Sequence, residues 1–239
     1  MKRKTRAVLF DAGNTVVFPR VDLLALEMTR LGYAATSDDF FHAERVGKRK
    51  LDDWLWPQLR AGRAPRKADY YYWTEYLRAL VERVGVPEAQ HVEIGTRMAD
   101  AFRRVSTWSS VDPGTTEYLV ALRQRGYHLG IVSNALGQIE AQLQCVGLAA
   151  CFEFILDSHL VGVEKPHPEI FQMALARCGL DAAEALFVGD LYSTDVGGAQ
   201  NAGLGAVLID RVGAYPKASV ARIASLPELD KIIETAVSR

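Results

Sequence analysis

The sequence predicts an α/β protein, a doubly wound parallel sheet interrupted by an inserted α-helical domain. Short apolar runs rich in β-branched residues recur along the chain without polar alternation, as strands buried on both faces of a parallel sheet do. Helical patterns separate these runs from Asp112 onward, an alternation that builds a sheet with right-handed crossovers. Between the first run and the rest lies a long stretch with helical periodicity and no strand pattern.

The first strand is Ala7–Phe10. From Val17 to Trp108 the chain reads as helical, with Trp73, Leu77, Leu80, Val81 and Val84 spaced along one helix face. The turn Asp112-Pro113-Gly114 restarts the α/β pattern. After it come helices over Thr115–Gln124, 136–146, Pro168–Cys178, 194–201 and 226–237. Strands are expected between them at 129–132, at 152–156 more weakly, at 185–188 and at 206–209. The expected domains are an α/β core made of residues 1–16 and 109–239, and a helical cap spanning 17–108.

With 28 Lys plus Arg against 29 Asp plus Glu and 49% hydrophobic residues, the chain has the balance of a folded protein rather than a disordered one. A formal charge of −1 supplies no bulk attraction to nucleic acid or to an anionic membrane. The basic start, Met1 to Arg6, is followed by an apolar run that ends at Asp11, too short for a signal peptide or a membrane span. Cys145, Cys151 and Cys178 fit neither a disulfide framework nor a cysteine zinc site, so a cytoplasmic location is expected. The oligomeric state is not legible in the sequence.

In an open parallel sheet, ligands bind outside the carboxyl ends of the strands. Four loops lie there: Asp11-Ala12-Gly13-Asn14-Thr15, Ser133-Asn134, Glu164-Lys165-Pro166-His167-Pro168, and the loop from Gly189-Asp190 to Asp195. Three carboxylates (Asp11, Asp190, Asp195), the Ser133 hydroxyl and the Lys165 ammonium should converge on one edge. Like charges raise one another's pKa, so this cluster requires Lys165, a bound cation, or both to stay ionised. An open, oxygen-only ligand set completed by water and a substrate phosphate suits Mg²⁺.

These loops, in this order, resemble the motifs of the haloacid dehalogenase-like (HAD) hydrolase superfamily, whose core is Rossmann-like. Asp11 matches its nucleophile after the first strand, Ser133 its second motif, Lys165-Pro166 its third, and Gly189-Asp190 with Asp195 its acidic fourth. The helical insertion matches the family's cap placed after the first motif. The resemblance implies a Mg²⁺-dependent phosphatase of a small phosphorylated metabolite, working through an aspartyl-phosphate on Asp11. It implies a cation held by Asp11, the Gly13 carbonyl and Asp190, with Asp195 a direct or water-mediated ligand. Gly13, Asn14, Thr15, Ser133, Asn134 and Lys165 would contact the phosphoryl group, Ser133 by a hydrogen bond and Lys165 by charge.

One position departs from the family pattern. Where its phosphatases place a second Asp, two residues after the nucleophile, this chain has Gly13, which cannot move a proton. Three readings follow: a phosphatase whose leaving group needs little protonation or finds an acid elsewhere, a metal-independent 2-haloacid dehalogenase, or a fold that binds without turnover. The pair Asp190 and Asp195 weighs against the second, because displacing halide needs no metal and added negative charge repels a haloacid. Asn14 follows, a residue type that tolerates positive φ and so preserves a tight turn.

Within the insertion, Tyr70 to Trp73, Tyr76, Trp54 and Trp56 are expected chiefly to pack the helices, with one or two lining a pocket. The eight basic residues between Arg45 and Lys67, among them Lys48, read as a solvated helix face. His42, early in the cap, is a candidate substitute acid or base, and His167 a residue that shapes the Lys165 loop.

Overall fold

The structure, a computed structural model, describes residues 5–65 and 69–237. The start of the basic amino terminus, Met1 to Lys4, and the basic Arg66 and Lys67 lie outside the described residues.

Every residue of β1 (Ala7–Phe10) is buried, as an unalternating apolar run demands. Side chains along a strand point to opposite faces, so Val8 and Phe10 join one core while Ala7 and Leu9 join another. β1 pairs in parallel with β4 (His128–Ser133) on one side and β6 (Ala185–Gly189) on the other. β5 (Phe154–Asp157), β7 (Gly205–Ile209) and β8 (Ala221–Ile223) extend this to six parallel strands in the order β5-β4-β1-β6-β7-β8. Phe10 aligns with both Ile131 and Val188, so the loops after β1, β4 and β6 leave the sheet at nearly the same height.

Helices cover both faces. On the Phe10 side pack α5 (Thr115–Gln124), through Leu119 and Leu122, α6 (Ile139–Cys145) and α10 (Leu229–Val237). On the Leu9 side pack α8 (Pro168–Cys178), through Ile170, Phe171 and Ala174, and α9 (Gly198–Asn201). A single helical turn, α7 (Ser158–Val161), follows β5, with the Asp157 carboxylate accepting from the N–H of His159.

The insertion is helical as expected: α1 (Val21–Arg30), α2 (Ser37–Arg60), α3 (Asp69–Arg83) and α4 (His91–Phe102) pack around their own core, which includes Leu51, Leu55, Leu80 and Met98. A capping box starts α2, Thr36 and Asp39 satisfying each other's backbone N–H groups.

Three features differ from expectation. A short antiparallel pair, β2 (Phe18–Pro19) with β3 (Trp108–Ser110), closes the neck of the insertion where no strand pattern was visible. Segments of two and three residues are too short to show a period, and Pro19 marks an edge strand. β8 also carried no signal, because two of its three residues are exposed at the sheet edge. The expected helix over 136–146 starts only at Ile139, because Gly137 takes φ 84°, outside the helical region, and the Asp157 carboxylate accepts from the N–H groups of Gly137 and Ile139 at the helix start. No described helix is long and apolar enough to cross a membrane.

Phe10 sits on the central strand next to Asp11, fully buried, with its ring edge-on to Phe152 at 6.1 Å between centroids. Phe10→Ala is expected to destabilise the fold by about 3–5 kcal/mol through lost contacts and the remaining cavity. Denaturant unfolding of the two proteins checks this.

A candidate active site at the carboxyl edge of the sheet

The loops after β1 and β6 and the loop that follows α7 bring Asp11, Asp190, Asp195 and Lys165 together, all buried. One oxygen from each of the three carboxylates lies within 4.8 Å of the other two. Lys165 Nζ donates to Asp11 Oδ1 and to Asp195 Oδ1, both at 2.7 Å. Its loop is tied down by Asn134, whose amide accepts from the Lys165 N–H at 2.7 Å and donates to the Lys165 carbonyl at 2.8 Å. The second oxygen of Asp195 accepts from the N–H of Leu191 at 2.9 Å. Asp195 folds back so closely that a Cβ on Gly189 would lie 2.4 Å from its carboxylate, and this approach explains the glycine.

The other sequence-predicted residues fall as follows. The Ser133 hydroxyl, at the end of β4, hydrogen-bonds Asp11. Asn14 takes φ 54° and its N–H donates to the Val17 carbonyl, so the tight turn after Asp11 survives without a glycine there. Gly13 faces the indole of Trp108. Thr15 is fully buried with an unpartnered hydroxyl and is not among the residues lining the cavity. His42 does not line it either, and His167 caps the amino end of α8.

The solvated-face reading of the basic stretch holds for Arg49, Lys50, Arg60 and Arg63, which are exposed, and fails at Lys48. Lys48 is 1% exposed, and its Nζ lies 2.7 Å from Glu44 Oε1 and 3.0 Å from Asp190 Oδ2. Arg45 and Arg49 donate to the carbonyls of Val212 and Ala214 in the core. Asp52 accepts from the N–H and hydroxyl of Ser193. Glu44 and Lys48 stand one turn apart, so the i,i+4 pair was visible, but its acidic core partner was not.

Burial and the facing charges set the electrostatics. Burial, reinforced by Asp195 and Asp11, pushes the Asp190 carboxyl up to about 7 against the pull of Lys48. Burial also raises Asp11, opposed by Lys165. Both lysines stay protonated, because Asp11 and Asp195 around Lys165, and Asp190 and Glu44 around Lys48, outweigh desolvation. Four buried carboxylates (Asp11, Asp190, Asp195 and Glu44) thus face two buried ammonium groups. Such an oxygen-rich, under-neutralised cluster can coordinate a divalent cation.

The cluster opens into a cavity of about 1080 Å³ between the core loops and α3 and α4. Asp11, Ser133, Lys165 and Asp190 line its floor. Trp73, Leu77, Phe102 and Trp108 line the far wall. Tyr72 and Thr194 also line it, and their hydroxyls are buried without a hydrogen-bond partner.

A family model described as haloacid dehalogenase-like hydrolase matches residues 5–203. The chain is 36% identical over 213 residues to a phosphoserine phosphatase of Thermus thermophilus, covering 87% of this chain and 82% of that one. It is 34% identical over 152 residues to haloacid dehalogenase-like hydrolase domain-containing protein 3 of Mus musculus, covering 63% of this chain and 59% of the mouse protein. The alignment therefore spans about three fifths of that relative's length. A magnesium-bound HAD hydrolase from Bacillus subtilis shares the fold with a TM-score of 0.64 at 22% identity, over 97% of this chain and all of that one.

Lys48→Met leaves Asp190 and Glu44 buried without their shared cation, a change expected to cost about 3–5 kcal/mol of stability in the presence of a chelator. Thermal unfolding with and without a divalent cation should show a larger cation-induced rise in Tm for the variant than for the native protein. Burial also pushes Asp52 up to about 6, so its proton favours the fold at low pH. That contribution is complete below about pH 4 and is lost as pH rises to about 6. Asp52→Asn is expected to abolish this decline, gaining roughly 2–3 kcal/mol relative to the native protein across the window, as unfolding at a series of pH values will show.

Proposed function

Because the chain belongs to the haloacid dehalogenase-like hydrolases, and is thus a hydrolytic enzyme, we propose that it is a Mg²⁺-dependent phosphatase of a small phosphorylated metabolite with Asp11 as nucleophile. The observation that carries this reading is the excess of buried carboxylate over buried ammonium around Asp11. A divalent cation compensates that excess and offers positive charge to an anionic phosphoryl group, whereas an anionic haloacid without a cation adds to it. The phosphatase activity of the Thermus relative supports the same direction.

In this reading Asp11, the Gly13 carbonyl and Asp190 hold the cation, with Asp195 completing the acidic set directly or through water. Mg²⁺ supplies charge neutralisation on the phosphoryl oxygens and orients them for in-line displacement. The remaining chemistry belongs to the chain. Lys165 keeps Asp11 ionised and turned toward the cavity, and shares charge with the transferring group. Ser133 donates to a phosphoryl oxygen, and Asn134 holds the backbone of Lys165 in place. Asn14 keeps the tight turn that follows Asp11, its N–H on the Val17 carbonyl and those of Thr15, Val16 and Val17 on the Ala12 carbonyl. Thr15 is the next residue of that turn, its N–H on the Ala12 carbonyl and its side chain buried.

Phosphate release from a panel of phosphorylated metabolites is the direct test. Turnover should disappear with a chelator, return with added Mg²⁺, and fall at least about 10³-fold in Asp11→Asn, which keeps the shape of the side chain but not its nucleophilicity. Undiminished release by Asp11→Asn would sink the reading.

A further inference from the structure

A Cβ added to Gly13 would lie 3.1 Å from Cζ3 and 3.4 Å from Cη2 of Trp108. The indole thus fills the space that any side chain at position 13 would enter. Trp108 is held there at both ends. Its Nε1–H donates to the Phe102 carbonyl at 2.8 Å, and its ring stands perpendicular to Trp73 at 6.3 Å between centroids. Trp73 in turn lies 5.0 Å from Phe102. These three rings, with Leu77, line the same cavity as Asp11.

In-line displacement sends the leaving oxygen away from the nucleophile and into the cavity that these rings line. Among the described residues, the carboxylic acids lining the cavity are Asp11, Glu164 and Asp190, and none belongs to the helical insertion. His91 is on the wall, but its Nε2 is engaged with the Val86 carbonyl at 2.8 Å. His159 also lines the cavity, from α7 of the core beside Gly137, and Arg78 and Arg103 are permanent cations rather than acids, so the ring-lined stretch itself offers the leaving group apolar surface and no acid.

We infer that the substrate is the phosphate monoester of a phenol, an aryl phosphate whose ring packs against Trp108, Trp73 and Phe102 and whose oxygen departs unprotonated. This rests on the phosphatase reading and narrows it. A carboxylate oxygen of Asp11 bonds to phosphorus as the phosphorus–oxygen bond to the aryl group breaks, and the electron pair of that bond leaves on the phenolate. Water then bonds to phosphorus, the bond between phosphorus and Asp11 breaks to restore the carboxylate, and both protons of that water end on the released dihydrogen phosphate. A phenolate is a stable enough anion to leave this way, whereas an alkoxide requires the protonation that a general acid supplies. The aromatic wall adds edge and face contacts that an alkyl group cannot match.

Phenyl phosphate, 4-nitrophenyl phosphate, glycerol phosphate and phosphoserine would be compared as substrates at saturating Mg²⁺, with the native protein and Asp11→Asn. Phenylphosphonate and propylphosphonate, which are not turned over, would be compared as inhibitors. Asp11-dependent kcat/KM is expected to favour the aryl esters by about 10²-fold or more. Phenylphosphonate should bind roughly tenfold more tightly than propylphosphonate, and this preference should shrink in Trp108→Ala and largely return in Trp108→Phe. If Trp108→Ala does not fold, the two phosphonates on the native protein decide the matter. Equal inhibition by the two, or alkyl esters cleaved as well as aryl ones, overturns the aryl assignment and leaves the phosphatase reading standing. No Asp11-dependent phosphate release from any ester overturns both.

Discussion

The Lys165 ammonium, shared between Asp11 and Asp195 in the interior, is the interaction on which the site depends. The carboxylates arrive on loops from two adjacent strands, β1 and β6, and without a cation between them their repulsion would drive the loops apart or force one to hold a proton. Buried ion pairs are weak sources of net stability, because desolvation consumes most of the attraction. Their value here is positional. Asn134 at the end of β4 grips the backbone of Lys165 on both sides, so one ammonium group ties the ends of three strands to one point.

A single lysine cannot balance the whole cluster, and the second counter-ion comes from the insertion. Lys48 reaches Asp190 from α2 with Glu44 beside it, while Arg45, Arg49 and Asp52 bond to core backbone along the same helix. α2 braces the site through the contact of Lys48 with Asp190, and α3 and α4 line the cavity above it. Carboxylates gather where β1 and β6 end and aromatic rings where the neck of the insertion closes, while Arg78 and Arg103 bring positive charge from the insertion.

The chemistry of the core was legible because each reactive residue sits directly after a short apolar run. Asp11 follows Phe10, Ser133 ends its own strand, and Asp190 follows Gly189, so strand prediction and site prediction were one act. Lys165 was found by its place in the order of the loops. Lys48 and Trp108 were missed because their meaning lies in partners remote in sequence. A basic residue within a polar helical stretch has the pattern of a solvated face, and nothing in the neighbourhood of Lys48 announces a buried carboxylate on another domain. Gly13 was noticed for what it lacks, yet the indole that occupies the space is far along the chain, in a strand of three residues with no periodicity to reveal it.

The Lys48 contact also bears on modularity. A helical insertion at a loop is commonly pictured as an exchangeable part, joined to its host through the two crossings of a narrow neck. Here the host's Asp190 is electrically incomplete without the guest's ammonium. Grafting a different insertion onto this core would strand a carboxylate in the interior unless the newcomer brought its own cation to the same spot. Core and insertion are therefore constrained to diverge together, and a recombinant that respects both chain junctions but not this one charge inherits the frustration of a broken buried pair.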